Sequence, residues 1–167
     1  MLLAPLEDGD IPRVAAWLAD PSIHQWLWFA PGVQAPTEAL LRLMARRDQH
    51  VLRIVSGGPG EPPAGLVALS EVDRAFGTAT LWYLLDVAHR GRGLATRGVR
   101  GLLSEGFAGG LRAVQAWAVE GNEPSIRVLL RAGLRFAGRR RACHLIGGSP
   151  RDRLLFDILA PEHEEGP

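Results

Sequence analysis

Leu81-Trp82-Tyr83-Leu84-Leu85-Asp86-Val87-Ala88-His89-Arg90-Gly91-Arg92-Gly93-Leu94-Ala95 is the stretch around which the chain is organised. Its first half is a run of bulky residues that reads as a strand. From Ala95 onward the apolar residues Val99, Leu102, Leu103 and Phe107 share one helical face. Strand, arginine-glycine turn and helix start therefore follow one another without a gap. Glycines let the backbone approach a ligand where Cβ atoms would intrude, and the first N–H groups of the helix point at whatever fills the turn. That combination is a phosphate cradle.

The residues separate three kinds of nucleotide loop. A dinucleotide fingerprint needs glycine three positions after Gly93, where Thr96 stands. A Walker-type loop needs Lys and Ser/Thr after its second glycine, where Val99 and Arg100 follow Gly98. What remains, R-G-x-G-x-A between a strand and a helix, resembles the pyrophosphate loop of the GNAT superfamily of acyl-CoA-dependent N-acetyltransferases. The alternative on these six positions alone is an ordinary glycine-rich turn.

The 167 residues suit one domain with one core. The expected division is residues 1–160 as a single acetyltransferase-like domain and 161–167 as a disordered tail. A 47% hydrophobic and 22% charged composition is that of a globular protein, and no apolar run reaches a membrane span. Residues 1–10 lack the basic and apolar regions of a secretion signal, so the expected location is cytoplasmic, with no membrane partner. The net charge of +1 gives no global field for nucleic acid, and Arg139-Arg140-Arg141 reads as a solvated strand face. Cys143 is the single cysteine, and His24, His50, His89, His144 and His163 show no metal-ligand spacing, which argues against metal catalysis. All 19 basic residues are arginine, so no lysine is present to form a Schiff base or complete a phosphate-binding loop.

Outward from the central stretch, Leu2 to Leu6 reads as a strand, Asp8-Gly9-Asp10 as a turn and cap, and 11–19 as a helix with Val14, Trp17 and Leu18 inward. Ser22 to Pro36 breaks the pattern and carries Trp26, Trp28 and Phe29, aromatics that either cap a core or wall a binding site. Pro36-Thr37-Glu38 opens a second helix. Val51 to Val55, Leu66 to Leu69 and Thr78 to Asp86 follow as an antiparallel meander. After the helix that closes at Ala108, Val114 to Val119 alternates as a strand. Asn122 caps a helix ended by Gly133, and Phe136 to Ile146 with Arg153 to Leu159 forms a last hairpin.

Asn122-Glu123-Pro124-Ser125, Val128-Leu129 and Ala132-Gly133-Leu134 are similar to the N-x-x-S-x-x-V-L-x-K-x-G-F segment of the RimJ/RimL-like branch of that superfamily, with Arg131 where the branch usually has lysine. Gly138, Gly147-Gly148 and Asp152 also resemble its closing hairpin. The resemblance implies an α/β (α+β) fold, a GNAT-like mixed and mostly antiparallel sheet of about seven strands flanked by about four helices. It implies acetyl-CoA as co-substrate, no metal, and direct transfer of an acetyl group to a primary amine of a small molecule or a protein N-terminus, by a monomer or homodimer.

Residue by residue, it implies that Leu85, Val87, Arg90, Gly91, Arg92, Gly93, Leu94, Ala95, Asn122 and Ser125 bind CoA, with Ser125 as the catalytic hydroxyl near sulfur. Backbone N–H groups from Leu84 to Val87 are expected to polarise the thioester. Trp26, Trp28, Phe29 and Thr80 are the expected acceptor-site residues. Many relatives of the branch carry glutamate where this chain has Thr80, so the amine proton must leave through water, through Glu71 or His89 if they face the site, or the amine must arrive neutral. The alternative function is a catalytically quiet relative that binds CoA or a partner.

Overall fold

The computed structural model describes residues 2–28 and 34–164. Its sheet contains β1 (Leu2–Pro5), β2 (Val51–Ser56), β3 (Pro63–Asp73), β4 (Thr78–Leu85), β5 (Ala113–Val119), β6 (Arg135–Ile146) and β7 (Ser149–Leu159), in the order β1-β2-β3-β4-β5-β7-β6. Only β4 and β5 pair in parallel; every other neighbouring pair is antiparallel. The helices are α1 (Ile11–Ala19), α2 (Pro21–His24), α3 (Glu38–Ala45), α4 (Leu94–Ala108), α5 (Glu123–Arg131) and α6 (Ala160–Glu164). Seven strands match the sequence expectation, whereas the described residues hold six α-helices instead of about four.

The two extra helices are short. Pro21–His24 forms a single turn because the Asp20 carboxylate accepts the Ser22 N–H at 2.8 Å and caps it. Asp10, the cap expected for α1, makes no such bond there; its carboxylate accepts the Glu7 N–H at 3.2 Å. Of the tail expected to be disordered over 161–167, residues 161–164 belong to α6, held by a 2.7 Å Arg135–Glu162 ion pair and by His163 against Ser104 (2.8 Å) and Phe107.

Strand alternation sorts the core into two layers. Val67, Leu69, Ala79 and Leu81 face α4 and α5 with Val99, Leu102, Leu103 and Leu129; Leu66, Ala68 and Leu84 face α1 and α3 with Val14, Leu18 and Leu41. Each fully buried leucine of these layers contributes about 1.5–3 kcal/mol relative to exposure. Gly98 sets how closely α4 approaches the sheet, since a Cβ there would stand 3.0 Å from Val55 and 3.2 Å from Val67. Among the described residues no helix is long and apolar enough to cross a membrane.

The feature that positions the site is a split in the sheet. β4 and β5 pair only at Thr78–Ala113, Ala79–Val114 and Thr80–Gln115, then run on to Leu85 and Val119 without pairing to each other, β4 still bonded to β3 and β5 to β7. The wedge so formed ends at the Arg90–Gly93 turn.

Candidate active site

The wedge and the space on either side of it form one cavity of about 960 Å³. On the α4–α5 side it is lined by Arg90, Gly91, Gly93, Leu94, Ala95, Asn122 and Ser125; on the α1–α3 side Trp26, Trp28, Glu71, Thr80 and Trp82 form the wall. Leu85 lies between. Most of the residues singled out from the sequence therefore meet in one place. Val87 and Arg92 do not line it: Val87 is exposed in a 3-10 turn, and Arg92 pairs with Glu61 at 2.9 Å. Phe29 lies outside the described residues.

The glycine turn has the geometry its sequence suggests. Gly91 and Gly93 sit at φ +78° and +70°, the left-handed region that side-chain-bearing residues avoid. The first intrahelical bond of α4 is Arg97 N–H to Gly93 O, so the N–H groups of Leu94, Ala95 and Thr96 precede the ladder and lie at the cavity, where the helix dipole favours an anion. Arg127 and Arg131, four residues apart on one face of α5, add two cations to the lining.

Ladder parity decides which β4 amides face the gap. Asp86 N–H bonds to Ala64 O, so the alternate residues Leu84 and Trp82 also turn their backbone groups toward β3. Tyr83 and Leu85 turn theirs toward the wedge. This narrows the expected Leu84–Val87 span and shifts it by one residue, because Leu84 and Asp86 point away. Asp86 is a turn residue: the Ala88 N–H, foremost, and the Trp17 indole N–H hold its carboxyl below the usual range.

Ser125 has a partner that a reading of the sequence missed. The Tyr83 hydroxyl lies 2.7 Å from Ser125 Oγ and 3.0 Å from Ser125 O, joining β4 to the first turn of α5 beside the wedge. Burial raises the Tyr83 pKa far above its ordinary value, against the smaller opposing effect of the Ser125 bond, so the phenol stays protonated. Asn122 Oδ1 accepts the Ser125 N–H at 3.4 Å as the cap of α5, which leaves its amide nitrogen available to a ligand.

Thr80 holds a carboxylate instead of replacing one. Its hydroxyl donates to Glu71 Oε2 at 2.7 Å and accepts from Gln115 Nε2 at 3.1 Å. Glu71 reaches the cavity from β3 because the ladder shifts register between Ser70 and Asp73, with Glu71 itself at φ +52°. Such strained positions cluster at functional sites. His89 takes no part in the lining; its Nδ1 is buried 3.9 Å from the Asp86 carboxylate.

The wall on the α1–α3 side is held by two polar chains. Trp82 Nε1 donates to Ser70 Oγ at 2.7 Å, and Ser70 Oγ meets His50 Nδ1 at 3.1 Å; Trp28 packs edge-on against Trp82 with centroids 4.8 Å apart. Behind the segment carrying Trp26 and Trp28, His144 donates from Nε2 to Gln25 O at 2.7 Å while Nδ1 accepts from Arg153 at 3.2 Å, and Arg153 stacks 4.0 Å over Trp117. Only neutral imidazole makes both bonds. Burial, then Arg153 against the opposing Gln25 bond, lowers the His144 pKa below 6.5.

A depressed histidine pKa stabilises the fold fully above the unfolded value and loses that contribution as pH falls through it. The melting temperature should therefore drop as pH falls through the ordinary histidine value of about 6.5 toward the lower folded one. His144→Gln, which keeps one donor and one acceptor, should flatten that slope. An unchanged slope in the variant would remove His144 from the clasp.

Comparisons with known proteins agree with this geometry. The family model described as "Acetyltransferase (GNAT) domain" matches residues 1–135. Spermidine N(1)-acetyltransferase of Escherichia coli K12 is 27% identical over 96% of this chain and 87% of its own length. Probable N-acetyltransferase YjcK of Bacillus subtilis is 35% identical over 60% of this chain, a match spanning 57% of that relative's length. Among solved structures, spermidine N-acetyltransferase from Vibrio cholerae in complex with CoA and spermine superposes with a TM-score of 0.87 at 18% identity, covering 98% of this chain and 97% of that one.

Proposed function

The chain belongs to the GNAT acetyltransferase family, and on that premise we propose that it is an acyl-CoA-dependent N-acetyltransferase passing an acetyl group directly from acetyl-CoA to the amine of a small molecule. One observation carries the reading: the sheet splits at Thr80 and the resulting wedge opens onto the left-handed Gly91 and Gly93 turn. The RimJ/RimL-like branch rests on the Asn122–Leu134 segment and the Gly138, Gly147-Gly148 and Asp152 positions of the closing hairpin, whereas the named full-length relatives are spermidine acetyltransferases. A SpeG-like affiliation therefore has the better support.

In this reading the turn and the N–H groups of Leu94, Ala95 and Thr96 hold the pyrophosphate, with Arg90, Arg127 and Arg131 supplying positive charge. Acetyl-CoA supplies the thioester. Tyr83 N–H and Leu85 N–H point where its carbonyl oxygen gains charge. Glu71 takes the proton from the acceptor ammonium, freeing the nitrogen lone pair. As the nitrogen–carbon bond forms and the carbon–sulfur bond breaks, Ser125 Oγ, backed by the Tyr83 hydroxyl, protonates sulfur. The second proton shed by nitrogen returns to this pair by way of solvent, which balances the transfer.

The test is ligand-induced stabilisation. Acetyl-CoA at about 100 times its Kd should stabilise the fold by about 2.7 kcal/mol, read as a rise in melting temperature. Gly93→Val, which puts a β-branched residue at φ +70°, should abolish the rise. The ligand-free melting curve keeps lost binding apart from lost folding. A full rise in a folded variant would contradict the cradle.

A further inference from the structure

Resting on that reading, we infer that the acceptor is a primary amine with one cationic head on an aromatic or otherwise flat apolar body, in preference to a polyamine. Charge on the described lining carries the first step. Glu71 is its only acidic residue, Arg90, Arg127 and Arg131 being engaged by the pyrophosphate in that reading, and the segment 21–37, which brings Trp26 and Trp28 to the wall, holds no Asp or Glu at all. A polyamine brings several ammonium groups into the cavity. One carboxylate pairs one of them, and each remaining cation loses water without gaining a partner of opposite sign. Selectivity against such acceptors follows from that missing pairing.

The wall supplies what the second half of the acceptor needs. Trp26, Trp28 and Trp82, with Leu27 and Met44, present aromatic and aliphatic surface next to Glu71, and the Trp82 indole is fixed by its 2.7 Å bond to Ser70. Fixed indoles favour a planar body by edge and offset contacts, a gain beyond the area they bury. Glu71, held by Thr80, receives the head group at the edge of the wedge. Head and body are thus recognised by different residues of one wall, and an arylalkylamine offers both.

Initial rates with saturating acetyl-CoA, read as free thiol and as acetylated product, over 2-phenylethylamine, tryptamine, hexylamine, spermidine and spermine, test this directly. The aryl amines should exceed the polyamines in kcat/KM by at least about tenfold, the size set by one unpaired buried group. Trp28→Ala should raise KM for the aryl amines while the acetyl-CoA-induced melting shift persists. Ser22→Asp, a second carboxylate at an exposed position of the lining, should move kcat/KM toward spermidine. Should wild type prefer spermidine or spermine, the inference is overturned and acetyl transfer stands. If acetyl-CoA binds and no amine of the panel is acetylated, both fall. Equal aryl-amine KM in folded Trp28→Ala would also overturn it.

Discussion

Tyr83→Phe is expected to lower kcat by roughly 10²–10⁴, with acetyl-CoA affinity retained. Its hydroxyl meets Ser125 Oγ at 2.7 Å beside the wedge, and burial keeps it protonated throughout the working pH range. Ser125→Ala should cost a similar factor. In the proposed mechanism the two hydroxyls form one relay, so the double variant should be scarcely slower than either single one. Multiplying losses would mean two independent donors. Near-wild-type kcat in both single variants would reduce the pair to a tie between β4 and α5.

Glu71→Gln should cost a comparable factor near neutral pH, with a signature that separates a base from a mere contact. Gln keeps the hydrogen bond from Thr80 but cannot take a proton, so the variant depends on the small fraction of acceptor that arrives neutral. Its kcat/KM should keep climbing tenfold per pH unit toward the amine's own pKa, while wild type levels off earlier. At high pH the two should converge. Thr80→Val, which removes the bond orienting Glu71 at 2.7 Å, should produce a milder version of the same profile. Parallel profiles for wild type and Glu71→Gln would exclude Glu71 as the base.

Much of this was legible in the residues because local signals and global fold agree. Val14, Trp17 and Leu18 set α1; the bulky run into Arg90–Gly93 set β4, the turn and α4. The less legible features depend on contacts distant in sequence. Pro21–His24 is too short for a periodic signal and is tied down through Gln25 by His144, 119 residues away. α6 has a local start, Pro161 with the Glu162 carboxylate accepting the Leu159 N–H at 2.9 Å, but five residues are too few for a periodic signal and its docking depends on Arg135, Ser104 and Phe107.

The site divides the same way. The cradle was readable since glycines, arginines and a helix start are contiguous. Tyr83 looked like one more apolar strand residue until β4 brought it to Ser125, 42 positions later. Thr80 read as the loss of a carboxylate because register shifts leave no trace in a single strand. The shift after Ser70 delivers Glu71 to the same place from the neighbouring strand. Arg127 and Arg131 did carry a signal, their four-residue spacing on the face of α5 that includes Pro124 and Val128.

The central claim is direct acetyl transfer within a ternary complex at the wedge, and the most direct measurement is thiol release from acetyl-CoA with and without a primary amine, with masses of amine and protein followed together. The prediction is amine-dependent thiol release equal to the acetylated amine formed, with the protein's own mass unchanged at every time point. Stoichiometric thiol release without amine, accompanied by an acetylated protein, would contradict it.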